Sequence, residues 1–152
     1  METPNTDSIV KHVTLAASPT RIRKAIANSD EFGQCFGVNL QGTFRVGETT
    51  GGMITHTGCE HLTFHVTVTR MEPECLLAFR WSPYAVEPAT FDSESPTTLV
   101  EFRVEPAGSG THLTITESGF DALPAEHRSE CFLRNEDGWA VQIHNVQHHV
   151  DG

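Results

Sequence analysis

Apolar residues recur along this chain with two different periods, and the period names the elements. In IVKHVTLAA, Ile9, Val13 and Leu15 share one face, the spacing of a strand. Ser18-Pro19 reads as a helix N-cap with proline at the first helical position, opening a helix over about 19–28. SDEFGQCF predicts a second short helix, capped by Ser29 or Asp30. Glycines then punctuate the chain, and LQGTFRVG and GGMITHTG each fit a short strand. HLTFHVTVTRM alternates for its whole length, with Leu62, Phe64, Val66 and Val68 opposite Thr63, His65, Thr67 and Thr69. LLAFRW follows the turn MEPE, so the two runs read as antiparallel neighbours. After the loop SPYAVEPATFDSESP, TTLVEFRVEP and THLTITES form a hairpin joined by AGSG. From there the period lengthens to about 3.6, and roughly the last 30 residues predict one long helix.

The order is strand, helix pair, six strands, long helix, with no repeat or linker: a one-domain α+β chain over residues 8–150 behind a flexible tail at 1–7. Strands apolar on one face need a cover, and the C-terminal helix is the one element long enough to lie across such a sheet. A curved sheet gripping that helix leaves a pocket between them.

RNEDGWAVQIHNVQHHV sets the phase of that helix. At about 100° per residue, Phe132, Ile143, Val146 and Val150 fall within about 40° of Trp139, while His144 and His148 lie about 140° and 180° away. Trp139 is therefore the main contact with the sheet. The histidine pair, one turn apart, has zinc-compatible spacing but no third ligand, and its phase directs it to water. Gly138 costs helix propensity, which a close backbone approach or a local bend would explain, unless the glycine is incidental. Asn135, Glu136 and Arg128 flank the apolar stripe, as candidate polar groups at a pocket edge or as rim residues that hydrogen-bond water or neighbouring loops.

Composition narrows the partners. Twenty acidic against 10 basic residues give a net charge of −10, which argues against nucleic acid and against an anionic membrane surface. No run approaches the ~20 apolar residues of a membrane span, and METPNTDS lacks the regions of a signal peptide, so a cytoplasmic protein is expected. Cys35, Cys59, Cys75 and Cys131 make no CxxC spacing and suit reduced thiols. HTGCEH gathers His56, Cys59 and His61 at one hairpin tip, but no fourth ligand is in reach, and no metal or cofactor is expected. Motifs for phosphate loops, dinucleotide binding and serine nucleophiles are absent from the sequence.

Glu117 carries more information. Alternation in THLTITES puts it on the side of Leu113 and Ile115, facing inward near the strand end. There it meets Arg128 or another donor, or is a desolvated carboxyl with a raised pKa. Trp81 shares an inward face with Leu77 and Phe79 and brings an indole N–H that needs a partner. Trp81, Glu117, Asn135 and Trp139 read as a mostly apolar pocket with a few polar fixtures, or as a filled core with a buried ion pair.

The element order, together with FRVG at 44–47, FRWSPYA at 79–85, TTLVEF at 97–102, GTHLTITESGF at 110–120 and NEDGW at 135–139, resembles the Bet v 1/START-like superfamily. Within it the chain is similar to the bacterial single-domain proteins related to the C-terminal domain of the activator of Hsp90 ATPase, over about residues 8–150. Where that family often has tryptophan after the first helix, this chain reads EFGQCFG, with Phe32 or Phe36 in its place. The resemblance implies a helix-grip fold: a curved antiparallel sheet of six or seven strands around a long C-terminal helix, one or two short helices after the first strand, and a hydrophobic cavity. Relatives of this fold include lipid carriers, hormone receptors, polyketide cyclases and co-chaperone domains, so the fold selects no single function.

The expected function is binding of a small, largely apolar or aromatic ligand. Phe64, Phe79, Trp81, Tyr84, Phe102, Ile115, Phe120, Phe132 and Trp139 would line the site, and Glu117, Asn135 and Arg128 would supply its polar groups. Two alternatives stay open. One is an enzyme of cyclase or hydratase type with Glu117 as general acid or base. The other is a chaperone-interacting module, disfavoured because the additional N-terminal domain of the eukaryotic co-chaperone is missing. A homodimer is also left open.

Overall fold

A computed structural model describes residues 7–36, 38–42, 44–54, 63–72, 76–81, 97–123 and 125–151. Seven strands form one antiparallel sheet: β1 (Ser8–Leu15), β2 (Val38–Gln41), β3 (Thr49–Ile54), β4 (Thr63–Glu72), β5 (Leu76–Trp81), β6 (Thr98–Ala107) and β7 (Gly110–Ser118). Their order is β1-β7-β6-β5-β4-β3-β2, so β2 to β7 run as a meander and β1 closes on β7. Between β1 and β2 lie α1 (Pro19–Ala27) and α2 (Ser29–Phe36), and α3 (Ala125–Asp151) ends the chain after a short 3-10 turn at Phe120–Ala122. This is the expected α+β helix-grip architecture.

Local chemistry explains the element ends. The Ser18 hydroxyl accepts the Arg21 N–H at 3.2 Å, and Pro19 occupies the first turn of α1. The cap of α2 is Asn28 instead of Ser29 or Asp30: its Oδ1 accepts the N–H groups of Asp30 and Glu31 at 2.9 and 3.1 Å. Asn28 is extended, so it ends α1 and starts α2 at once. The strand expected over LQGTFRVG begins two residues earlier and ends at Gln41. Gly42 and Gly47 sit at φ 97° and 86°, a conformation that breaks an extended run, and Phe44 between them turns into the core.

A second difference lies in β4. Its register against β5 shifts between Val68 and Arg70, so strict alternation stops there. Val68 pairs with Phe79 and Met71 with Leu77, and the bulge therefore puts Met71 on the same inward face as Val66 and Val68. The polar pair Thr69-Arg70 is its trace in the sequence.

The inward faces of β4 to β7 and β1 build the core with α1, α2 and α3. Phe32 of α2 packs edge-on against Phe44, Phe79 and Phe102, with centroids 5.4, 6.0 and 6.0 Å away. Phe32 is thus a core residue, while the side chain of Phe36, the other phenylalanine considered for that place, lies outside the described residues. On α3, Cys131, Trp139 and Val146 are buried, and Phe132, Ile143 and Val150 pack against the core. His144 and His148 are exposed, as the helical phase requires.

Candidate functional site

Four elements converge on Glu117. Trp81 ends β5, Thr98 begins β6, Glu117 lies near the end of β7, and Asn135 and Trp139 stand one turn apart on α3. Register brings the strand residues together, since Trp81 pairs with Thr98 and Val100 with Glu117. The Glu117 side chain is fully buried, and both oxygens accept hydrogen bonds. Oε1 accepts from Trp139 Nε1 at 2.7 Å and from Asn135 Nδ2 at 3.0 Å. Oε2 accepts from Trp81 Nε1 at 2.8 Å, from Thr98 Oγ1 at 2.5 Å and from Asn135 at 3.2 Å.

Two indoles, a hydroxyl and a carboxamide thus surround a carboxylate acceptor, with no cation among these partners. Arg128, one of the partners considered for Glu117, donates instead to the Leu123 carbonyl at 3.0 Å, and its Nε is buried without a hydrogen bond. The buried group is satisfied by neutral donors and is not half of an ion pair. Proton transfer by Glu117 would have to break one of these bonds first.

Aromatic rings form the walls around this network. Trp81 and Trp139 lie 5.6 Å apart, Phe102 and Trp139 5.8 Å, Phe79 and Trp81 5.7 Å, and Phe79 and Phe102 5.8 Å. Ile115 is buried in the same core. Phe120 and Phe132 make a separate pair at 5.2 Å at the end of the molecule where Arg128 sits. The structure therefore brings Phe79, Trp81, Phe102, Glu117, Asn135 and Trp139 into one cluster beneath α3. Tyr84, the side chain of Phe64 and the HTGCEH tip lie outside the described residues.

Thr98 is the network member that the sequence reading did not single out. Its signal was present: alternation in TTLVEF puts it on the face of Val100 and Phe102, and a buried hydroxyl there needs an acceptor. At Gly138 the structure decides against one of the explanations offered for the glycine. A Cβ built on it would meet nothing within 4 Å, so no close backbone approach requires the glycine. Cys131, Gly138 and His149 fall within about 20° of one line along α3. Cys131 is buried, and His149 Nε2 lies 2.9 Å from Glu31 of α2, so this line is covered at both ends, with open space at half-buried Gly138 between them.

The geometry has known counterparts. The family model for "Activator of Hsp90 ATPase homolog 1-like protein" matches residues 16–151. A solution structure of a protein from Arthrobacter aurescens superposes with a TM-score of 0.81 at 14 % identity, covering 98 % of this chain and 90 % of that one. The Aha1 protein of Colwellia psychrerythraea, solved as a dimer, gives 0.71 at 17 % identity over 94 % of this chain and 95 % of its own. DynU16, a protein of the dynemicin biosynthetic locus, gives 0.72 at 20 % identity over 97 % of this chain. Only 48 % of DynU16 is covered, so the chain spans about half the length of that relative. No curated protein matches the sequence. At these identities the superpositions establish the shared helix-grip fold, and the family model, which spans most of the sequence, decides membership: the chain belongs to the activator of Hsp90 ATPase homolog 1-like family.

Proposed function

We propose that the protein binds a small, largely apolar or aromatic ligand between the sheet and α3 and does not transform it. The observation that carries this reading is the open position at Gly138, half-buried on a helix face that is covered on either side. Half-buried Asn135, one turn before it on α3, offers an amide, and half-buried Trp81, against Trp139, an indole face, the mixture of few polar and many apolar groups that small-molecule sites use. Glu117 then acts as the anchor of the wall, because its lone pairs are committed to groups of the protein itself. The cyclase or hydratase reading loses its one candidate acid or base by the same count.

An uncharged fluorescent naphthalene derivative tests the reading. Wild-type protein is expected to bind one equivalent saturably. Gly138→Phe, which fills the open position, is expected to weaken binding by roughly tenfold or more while the fold survives, and Gly138→Ala to leave it nearly unchanged. Wild-type protein without saturable binding, or a Gly138→Phe variant that binds as tightly as wild type, overturns the proposal.

A further inference from the structure

A cavity lies away from the Glu117 cluster. It has a volume of about 170 Å³ and opens between α1 and the neighbouring ends of β4, β5 and β6. Ile26 and Ala27 line it from the helix, and Met71, Leu76, Leu77 and Val104 from the sheet. Met71 reaches it because the bulge in β4 turns that side chain inward. Drug-sized ligands occupy pockets of about 300–1,000 Å³, whereas an apolar cavity of about 150 Å³ already admits benzene. The space therefore suits one ring, or a branched chain of similar size, and little more.

Two charged residues complete the lining, Arg23 and Glu72. Glu72 is already paired with Arg70. Arg23 makes no ion pair or hydrogen bond among the described residues, although its neighbours on α1 do: Arg21 lies 2.8 Å and Lys24 3.9 Å from Glu31. In a chain of net charge −10, α1 carries Arg21, Arg23 and Lys24 and no acidic residue. A guanidinium left uncommitted beside an apolar hollow is the arrangement that recognises an amphiphilic anion, with the carboxylate held by a charge-assisted fork and the hydrocarbon removed from water.

We propose that this cavity is a binding site for a small monocarboxylic acid bearing a single ring or branched alkyl group, with Arg23 receiving the carboxylate. It is distinct from the site beneath α3 and stands whether or not that site binds a ligand.

Phenylacetate serves as the probe, with phenylacetamide as its uncharged counterpart, and methyl NMR shifts report where each binds. Phenylacetate is expected to shift Ile26, Ala27, Leu77 and Val104 saturably. Arg23→Gln, a change at a partly exposed position, is expected to weaken it roughly tenfold or more and to abolish its advantage over phenylacetamide. Ala27→Trp, which fills the hollow, is expected to remove binding, with a melting curve confirming that the variant folds. Gly138→Phe, aimed at the site beneath α3, is expected to leave phenylacetate binding unchanged. Absence of saturable shifts in the wild type overturns the proposal, as does equal affinity in Arg23→Gln or binding lost only in Gly138→Phe.

Discussion

At Glu117 the energetics follow from counting donors. The donors aimed at the carboxylate are buried (Thr98, Trp139) or half-buried (Trp81, Asn135), so losing the acceptor leaves several of them without their partner at once. From alternation alone, Glu117→Gln is a shape-preserving exchange that a binding protein should tolerate. The hydrogen bonds change that expectation, because a glutamine must aim its NH₂ at the Trp139 side or the Trp81 side, and both sides present N–H groups. Glu117→Gln should cost about 2 to 4 kcal/mol. Trp139→Ala, at a residue only 4 % exposed and in contact with two other rings, should cost about 3 to 5 kcal/mol. Urea unfolding of both variants checks this, and a Glu117→Gln protein as stable as wild type would mean that the network does not secure α3 to the sheet.

Along α3, the apolar stripe and the exposed face make opposite predictions for side chains on opposite sides of the helix. His144→Ala and His148→Ala should each change stability by no more than about 0.5 kcal/mol, since both side chains are exposed. A histidine variant as damaged as Trp139→Ala in the same urea series would reverse the helical phase. Gly138 lies in the middle of the helix with room for a methyl group. Gly138→Ala should therefore stabilise the protein by about 0.5 to 1 kcal/mol through helix propensity and a less flexible unfolded chain. Thermal unfolding measures the gain, and a lowered midpoint would show that the glycine relieves a crowding or a bend that the free space does not reveal.

The C-terminal end of α3 is fastened to the rest of the molecule by polar clasps. Asp151 accepts the N–H groups of Ala16 and Ala17 at 3.0 and 2.9 Å, just after β1. Glu31 of α2 lies 2.9 Å from His149 and accepts from Arg21 at 2.8 Å. The His149 hydrogen bond does most to hold the Glu31 carboxyl below its ordinary value of 4.5; burial opposes it, and Arg21 and Lys24 reinforce it. A depressed folded-state pKa means that the unfolded chain takes up the proton first. The stabilisation is thus complete above pH 4.5 and is lost as the pH falls through the lower folded value. Glu31→Gln should be less stable than wild type by about 1 kcal/mol near neutrality, because the pair is partly exposed. The two proteins should converge as the pH falls below 4.5 and through the lower folded value. Melting curves across that range test the linkage, and a gap that persists undiminished in acid would sink it.

Periodicity carried the reading as far as each element reaches. The strand faces, the Ser18 cap, the burial of Trp139 opposite His144 and His148, and the inward aim of Glu117 all follow from residues within one strand or one helix. Backbone geometry ties such residues together whatever the rest of the chain does. The partners of Glu117 are another matter. Asn135, Thr98, Trp139 and Trp81 stand 18, 19, 22 and 36 residues away, and nothing local says that four neutral donors, and not Arg128, will meet the carboxylate. Strand register, which sets Trp81 against Thr98 and Val100 against Glu117, and the packing of α3 on the sheet settle that contest. The hollow beside Arg23 belongs to the same class, for it exists only where α1 and three strand ends meet without filling the space between them.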